Sequence, residues 1–246
     1  MKLFSIPGFG RFANVLSTVL GCSLVCLNCL PLSADAEGFF LTRWLKSKWE
    51  KPVSRSFSPA NIYRSKETLP ADMRRVAILP IVSSSSSISD SDAALDSNSE
   101  ILARELGASH AFEVVQVSPD KLRRWSGRVQ WKADEPFPLE LMAKLREQYS
   151  CQAVLFAEMT HFHAYGPLQV GWRLKLVETR RGEIVWAADE LFDSGVPEVA
   201  TAAKRFAQAS QNQSDSTNSG ENFILSSPRR FIQYSLHALF ATLPRR

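Results

Sequence analysis

Cys151 to Asp193 reads CQAVLFAEMTHFHAYGPLQVGWRLKLVETRRGEIVWAADELFD, and this stretch decides the fold. Between Leu168 and Val177 apolar and polar residues alternate. Leu168, Val170, Trp172, Leu174 and Leu176 fall on one side, and Gln169, Gly171, Arg173 and Lys175 on the other. A period of two with one apolar side is the pattern of a half-buried strand. The apolar runs before and after it are joined to it by Ala164-Tyr165-Gly166-Pro167 and Thr179-Arg180-Arg181-Gly182, both with turn chemistry. The stretch is therefore expected to form a three-stranded antiparallel meander.

Upstream, Val76 to Ile81 is a short apolar run suited to a strand buried on both faces. Ser97-Asn98-Ser99-Glu100 has the spacing of a capping box before Ile101, Leu102 and Leu106, and Gly107 suits the helix end. Phe112 to Val117 is the next strand, expected to lie parallel to the first. Ser118-Pro119 opens a short helix carrying Leu122 and Trp125, and Pro138 leads into one with Leu141, Met142 and Leu145 on a stripe. After the meander, Pro197 to Ala209 is expected to be helical. Ser227-Pro228 opens a last helix with Ile232, Leu236, Leu239, Phe240 and Leu243 inward. The fold class is α/β with α+β character: a mixed sheet of about five strands, a βαβ unit followed by the meander, and helices packed on the sheet.

The ends of the chain differ from this body. Lys2 and Arg11 precede an apolar run, and Ala34-Asp35-Ala36 is a small-x-small sequence, so residues 1–36 read as an export signal. Val19-Leu20-Gly21-Cys22 also approximates a lipoprotein box with Cys22 as the lipidated residue, and an uncleaved anchor is the third reading. Each places the body outside the cytoplasm, in the periplasm or at a membrane. Residues 37–73 form an arm and a proline-containing linker. In the arm Phe39, Phe40, Trp44 and Trp49 interleave with Arg43, Lys46 and Lys48, which suits an anionic membrane surface, or packing on the domain. Residues 74–246 are the single α/β domain, with polar loops 83–96 and 210–226 expected to be disordered.

The bulk numbers narrow the function classes. A net charge of +4 on 246 residues is far from the basic density of a nucleic-acid binder. Of four cysteines, Cys22, Cys26 and Cys29 lie in the export segment, which leaves Cys151 as a small core residue with no disulfide partner. No phosphate-cradling glycine motif occurs. No catalytic, cofactor or metal site is assigned. His161 and His163 share one face of a strand, about 7 Å apart along it, but a metal needs a third ligand and strict alternation points Glu158 the other way. Asp189, Glu190 and Asp193 are expected to face solvent. Trp172 and Trp186 are expected in the core, with a ligand groove as the alternative.

Three pieces of the body resemble one family. Arg75-Val76-Ala77-Ile78-Leu79-Pro80 is similar to an opening "VAVLPF" strand, and Ala153 to Glu158 falls where the family reads "AD-x-VL-x-G". Val170 to Val177 followed by Gly182-Glu183-Ile184-Val185-Trp186 is similar to its "L-x-L-V-D-x-x-T-G-x-I-V-W" hairpin. The family is the periplasmic domain shared by the curli-pore subunit CsgG, the lipoprotein LpoB and the amino-terminal domain of TolB, and the resemblance spans about Arg74 to Asp193. It implies a non-enzymatic cell-envelope protein that binds or scaffolds envelope proteins. Ser150, Cys151 and Gln152 replace the family's glycine and Ala-Asp, and the loop Ser83 to Ser97 is too polar for lipid-facing strands, so pore formation is not implied. Two other classes stay open: a metal-dependent hydrolase using His161 and His163, and a small-ligand carrier with a pocket near Trp172 or Trp186.

Overall fold

A computed structural model describes residues 57–84, 92–211 and 223–246. The proposed lipidation site Cys22, and the arm residues Phe39, Phe40, Arg43, Trp44, Lys46, Lys48 and Trp49, lie outside them. The described elements are β1 (Ile62–Arg64), β2 (Arg75–Ile78), β3 (Val82–Ser83), α1 (Asp92–Ala108), β4 (Glu113–Gln116), α2 (Pro119–Ser126) and α3 (Leu139–Tyr149). They continue with β5 (Ala153–His163), β6 (Gln169–Glu178), β7 (Ile184–Asp193), α4 (Pro197–Gln211) and α5 (Pro228–Phe240).

The seven strands form one mixed sheet in the order β1-β7-β6-β5-β2-β4, with β3 beside β5. The meander is antiparallel throughout, and β2 lies parallel to both β4 and β5. Two strands go beyond the five expected. Ile62–Arg64, read from its prolines as linker, pairs antiparallel with Trp186 to Ala188 at the sheet edge. Val82–Ser83 pairs with Glu158 and Met159 where β2 ends. Both are too short to show a period of two. Helix α1 begins at Asp92, upstream of the capping box expected at Ser97. An acidic first residue followed by Ala-Ala-Leu favours an earlier start, and Gly107 lies inside the last turn rather than past it.

Each face of the sheet buries its own core. On one face α1, α4 and α5 cover Ile78, Leu155, Met159, Trp172, Leu174, Leu176, Trp186 and Phe192. On the other, α2 and α3 cover Ala77, Val154 and Phe156 with Trp131, Leu141 and Leu145. Gly127, at φ 73°, ends α2 with its N–H donating to the Arg123 carbonyl at 2.8 Å. The second cover passes β5 at one end only, where it buries Val177 of β6 and where Ala133 and Asp134 share a cavity with Arg173, Lys175 and Asp189. The rest of that face of β6, β7 and β1 is more open, with Tyr63 and Leu191 more than half exposed.

Candidate functional site

The open face is built by register. Glu158 lies opposite Arg173, and Arg173 lies opposite Asp189, so three charged side chains line up across β5, β6 and β7. The Arg173 Nε–H donates to Asp189 Oδ2 at 2.8 Å, and its Nη1 is 3.7 Å from Glu158 Oε2. The Asp189 hydrogen bond holds the guanidinium above its ordinary range. Glu158 is 3% exposed, and its Oε1 accepts the Ser84 hydroxyl. Beside this ladder is a cavity of about 240 Å³ lined by Tyr63, Asp134, Arg173, Lys175, Ala187 and Asp189. The Lys175 ammonium lies 4.9 Å from the Phe156 ring centre, and burial lowers its pKa.

A β-bulge corrects the expected orientation of Glu158. Met159 pairs with Trp172, but His161 pairs with Gly171, so Thr160 is the extra residue. The slip places His161 and His163 on the same face as Glu158, because Gly171, Gln169 and Arg173 are alternate residues of β6. His161 Nε2 is 2.9 Å from Gln169 Oε1, and the Gln169 amide nitrogen donates to Asp193 Oδ2 at 2.8 Å. His163 Nδ1 is 3.1 Å from the Pro167 carbonyl. Both imidazoles are exposed. Among the described residues no group of three or more His, Cys, Asp or Glu side chains is placed to hold a metal.

The remaining sequence candidates are structural. Asp189 pairs with Arg173, while Glu190 Oε2 accepts the backbone N–H groups of Ala60 and Asn61 and ties β1 to the sheet. Asp193 Oδ1 accepts the Gly195 N–H at 2.7 Å. Trp172 and Trp186 are wholly buried. Their indole N–H groups donate to Ser235 Oγ at 2.9 Å and Thr242 Oγ1 at 3.1 Å, so they anchor the last helix and its exit rather than line a groove. Cys151 is buried, and burial pushes its thiol up to about 11.

One cluster was not foreseen. Glu105 on α1 is 6% exposed; it accepts from Gln233 Nε2 at 2.8 Å and faces His237 Nδ1 at 3.5 Å, both on α5. Burial raises the Glu105 carboxyl, but the hydrogen bonds from His237 and Gln233, with the charges of His237 and Arg104, outweigh it and hold the group below its ordinary value. The signal for it was a lone acid one residue before the buried Leu106, on a helix whose partner carried a glutamine and a histidine four residues apart.

No helix of the described residues is long and apolar enough to cross a membrane. No protein-family model matches the sequence, and no curated protein matches it. Among solved structures the chain is similar to the PelC dodecamer of Paraburkholderia phytofirmans, at 15% identity and a TM-score of 0.44, over 75% of this chain and 97% of that one. It is similar to the lipoprotein GNA1162 of Neisseria meningitidis at 15% identity and a TM-score of 0.34, over 61% of this chain and 89% of that one. It is also similar to the LpoB C-terminal domain of Salmonella enterica, at 14% identity and a TM-score of 0.31, over 48% of this chain and 82% of that one.

Proposed function

We propose that this chain is an exported, non-enzymatic envelope protein that works by binding other envelope proteins. The observation that carries this reading is the uncovered half of the sheet. It presents the Arg173–Asp189 ion pair, with the buried Glu158 carboxylate behind Arg173, flanked by the exposed apolar side chains of Tyr63 and Leu191. A mixed polar and aromatic surface on rigid strands suits protein contact. The amino-terminal segment supports export, either with cleavage after Ala36 or with lipid on Cys22. The aromatic and basic arm from Phe39 to Trp49 then holds the protein against a membrane surface. The motif resemblance to the CsgG, LpoB and TolB domain agrees with a contact function.

A photo-crosslinking residue placed at Tyr63 or Leu191 in cells tests this reading, with Lys144, exposed on α3 over the covered half, as the control. The reading predicts adducts with envelope proteins from Tyr63 and Leu191 that Lys144 does not give. Equal or absent crosslinking at all three positions would contradict it.

A further inference from the structure

The two exposed histidines of β5 have their ring protons assigned by their neighbours. A carboxylate only accepts hydrogen bonds, so the Gln169 group at Asp193 is its amide nitrogen, and its oxygen faces His161. That oxygen accepts, so the neutral ring of His161 carries its proton on Nε2. The Pro167 carbonyl also only accepts, so the neutral ring of His163 carries its proton on Nδ1. What remains is a bare lone pair on His161 Nδ1 and another on His163 Nε2, in two exposed rings on one face of a strand. Their Cα atoms are about 7 Å apart along the strand, and imidazole nitrogens bind such ions at about 2.0–2.1 Å. Histidines that ligate metals donate their other N–H to a carboxylate, a carbonyl or a hydrogen-bonded group that fixes the ring. Both do so here, one through an amide backed by Asp193 and one through the backbone.

From this geometry we propose that His161 and His163 form a two-histidine site for a labile divalent transition-metal ion of the imidazole-preferring class, Cu²⁺, Ni²⁺ or Zn²⁺, whose other positions are filled by water. The site is separate from any hydrolytic chemistry. Glu158 shares the face but is buried beneath Ser84 and Arg173, so it does not complete a catalytic set. The order of affinity follows the general preference of nitrogen sites, Cu²⁺ above Ni²⁺.

Calorimetric titration of the full chain with NiCl₂ and ZnCl₂ tests this, run beside a His161→Gln/His163→Gln double variant and a Gln169→Leu variant. The four cysteines are common to all three proteins, so any thiol binding cancels. The expected result is one ion per chain that the double variant loses. In Gln169→Leu, where His161 loses its orienting acceptor, binding should weaken about tenfold. Imidazole ¹⁵N spectra should show Nε2–H for His161 and Nδ1–H for His163, with Zn²⁺ shifting the opposite nitrogen of each ring. Unchanged metal binding in the double variant, or the opposite tautomers, would overturn the proposal.

Discussion

Gly171 sits where β5 bulges toward β6. A Cβ at this position would lie 2.6 Å from Thr160 Oγ1 and 3.0 Å from His161 Cβ, inside contact distance. Gly171→Ala should therefore lower stability by about 1–3 kcal/mol, seen as a lower urea midpoint with the slope unchanged. Cys151 makes the opposite kind of prediction. With its thiol raised to about 11 by burial, the thiolate is scarce at pH 8. Peptide-resolved alkylation should leave Cys151 unlabelled in the native protein and label it after denaturation. Its role was legible, because an apolar strand follows it directly and no base stands near it in sequence. The face of Glu158 was not legible. One extra residue in the strand reverses every orientation after it, and no local signal in Met159-Thr160-His161 announces the slip.

At the scale of elements, the helices over the apolar face are tied to it by a few polar contacts. Trp172 donates its indole N–H to Ser235, inside α5, and both groups are buried. Ser235→Ala leaves that N–H without its acceptor and should cost about 1–3 kcal/mol by urea unfolding. Glu105 ties α1 to α5 through Gln233 and His237. A carboxyl held below its ordinary value in the folded state adds stability that is fully present above its unfolded pKa of about 4.3 and is lost as pH falls through the folded value. Glu105→Gln should thus unfold more readily than wild type at pH 7, and the difference should shrink as the pH drops below the ordinary carboxylate range. The meander, the parallel β2–β4 pair and α2 to α5 were readable from alternation, apolar stripes and Ser-Pro or proline starts. At Ser118 and Ser227 the proline sets the start and the serine makes no side-chain cap. The strands Ile62–Arg64 and Val82–Ser83 were not readable, since two or three residues carry no period and their place in the sheet comes from tertiary pairing alone.

The whole molecule joins a sheet covered on one face to a second face covered only in half. The sequence marked the covered side well, because burial selects the apolar residues that pattern reading detects. It marked the open side poorly. Arg173, Lys175 and Asp189 looked like ordinary solvent-facing charges until pairing brought Arg173 between two carboxylates. The contact function proposed for the chain assigns that open side to partners, and it first requires that the chain be exported. The most direct test is the mass and amino-terminal sequence of the protein recovered from separated envelope and cytoplasmic fractions, with Cys22→Ala in parallel. The account predicts recovery in the envelope fraction as a shortened chain, beginning at Glu37 without lipid, or at Cys22 with added lipid mass that the variant loses. A full-length chain beginning at Met1 and confined to the cytoplasmic fraction would contradict it.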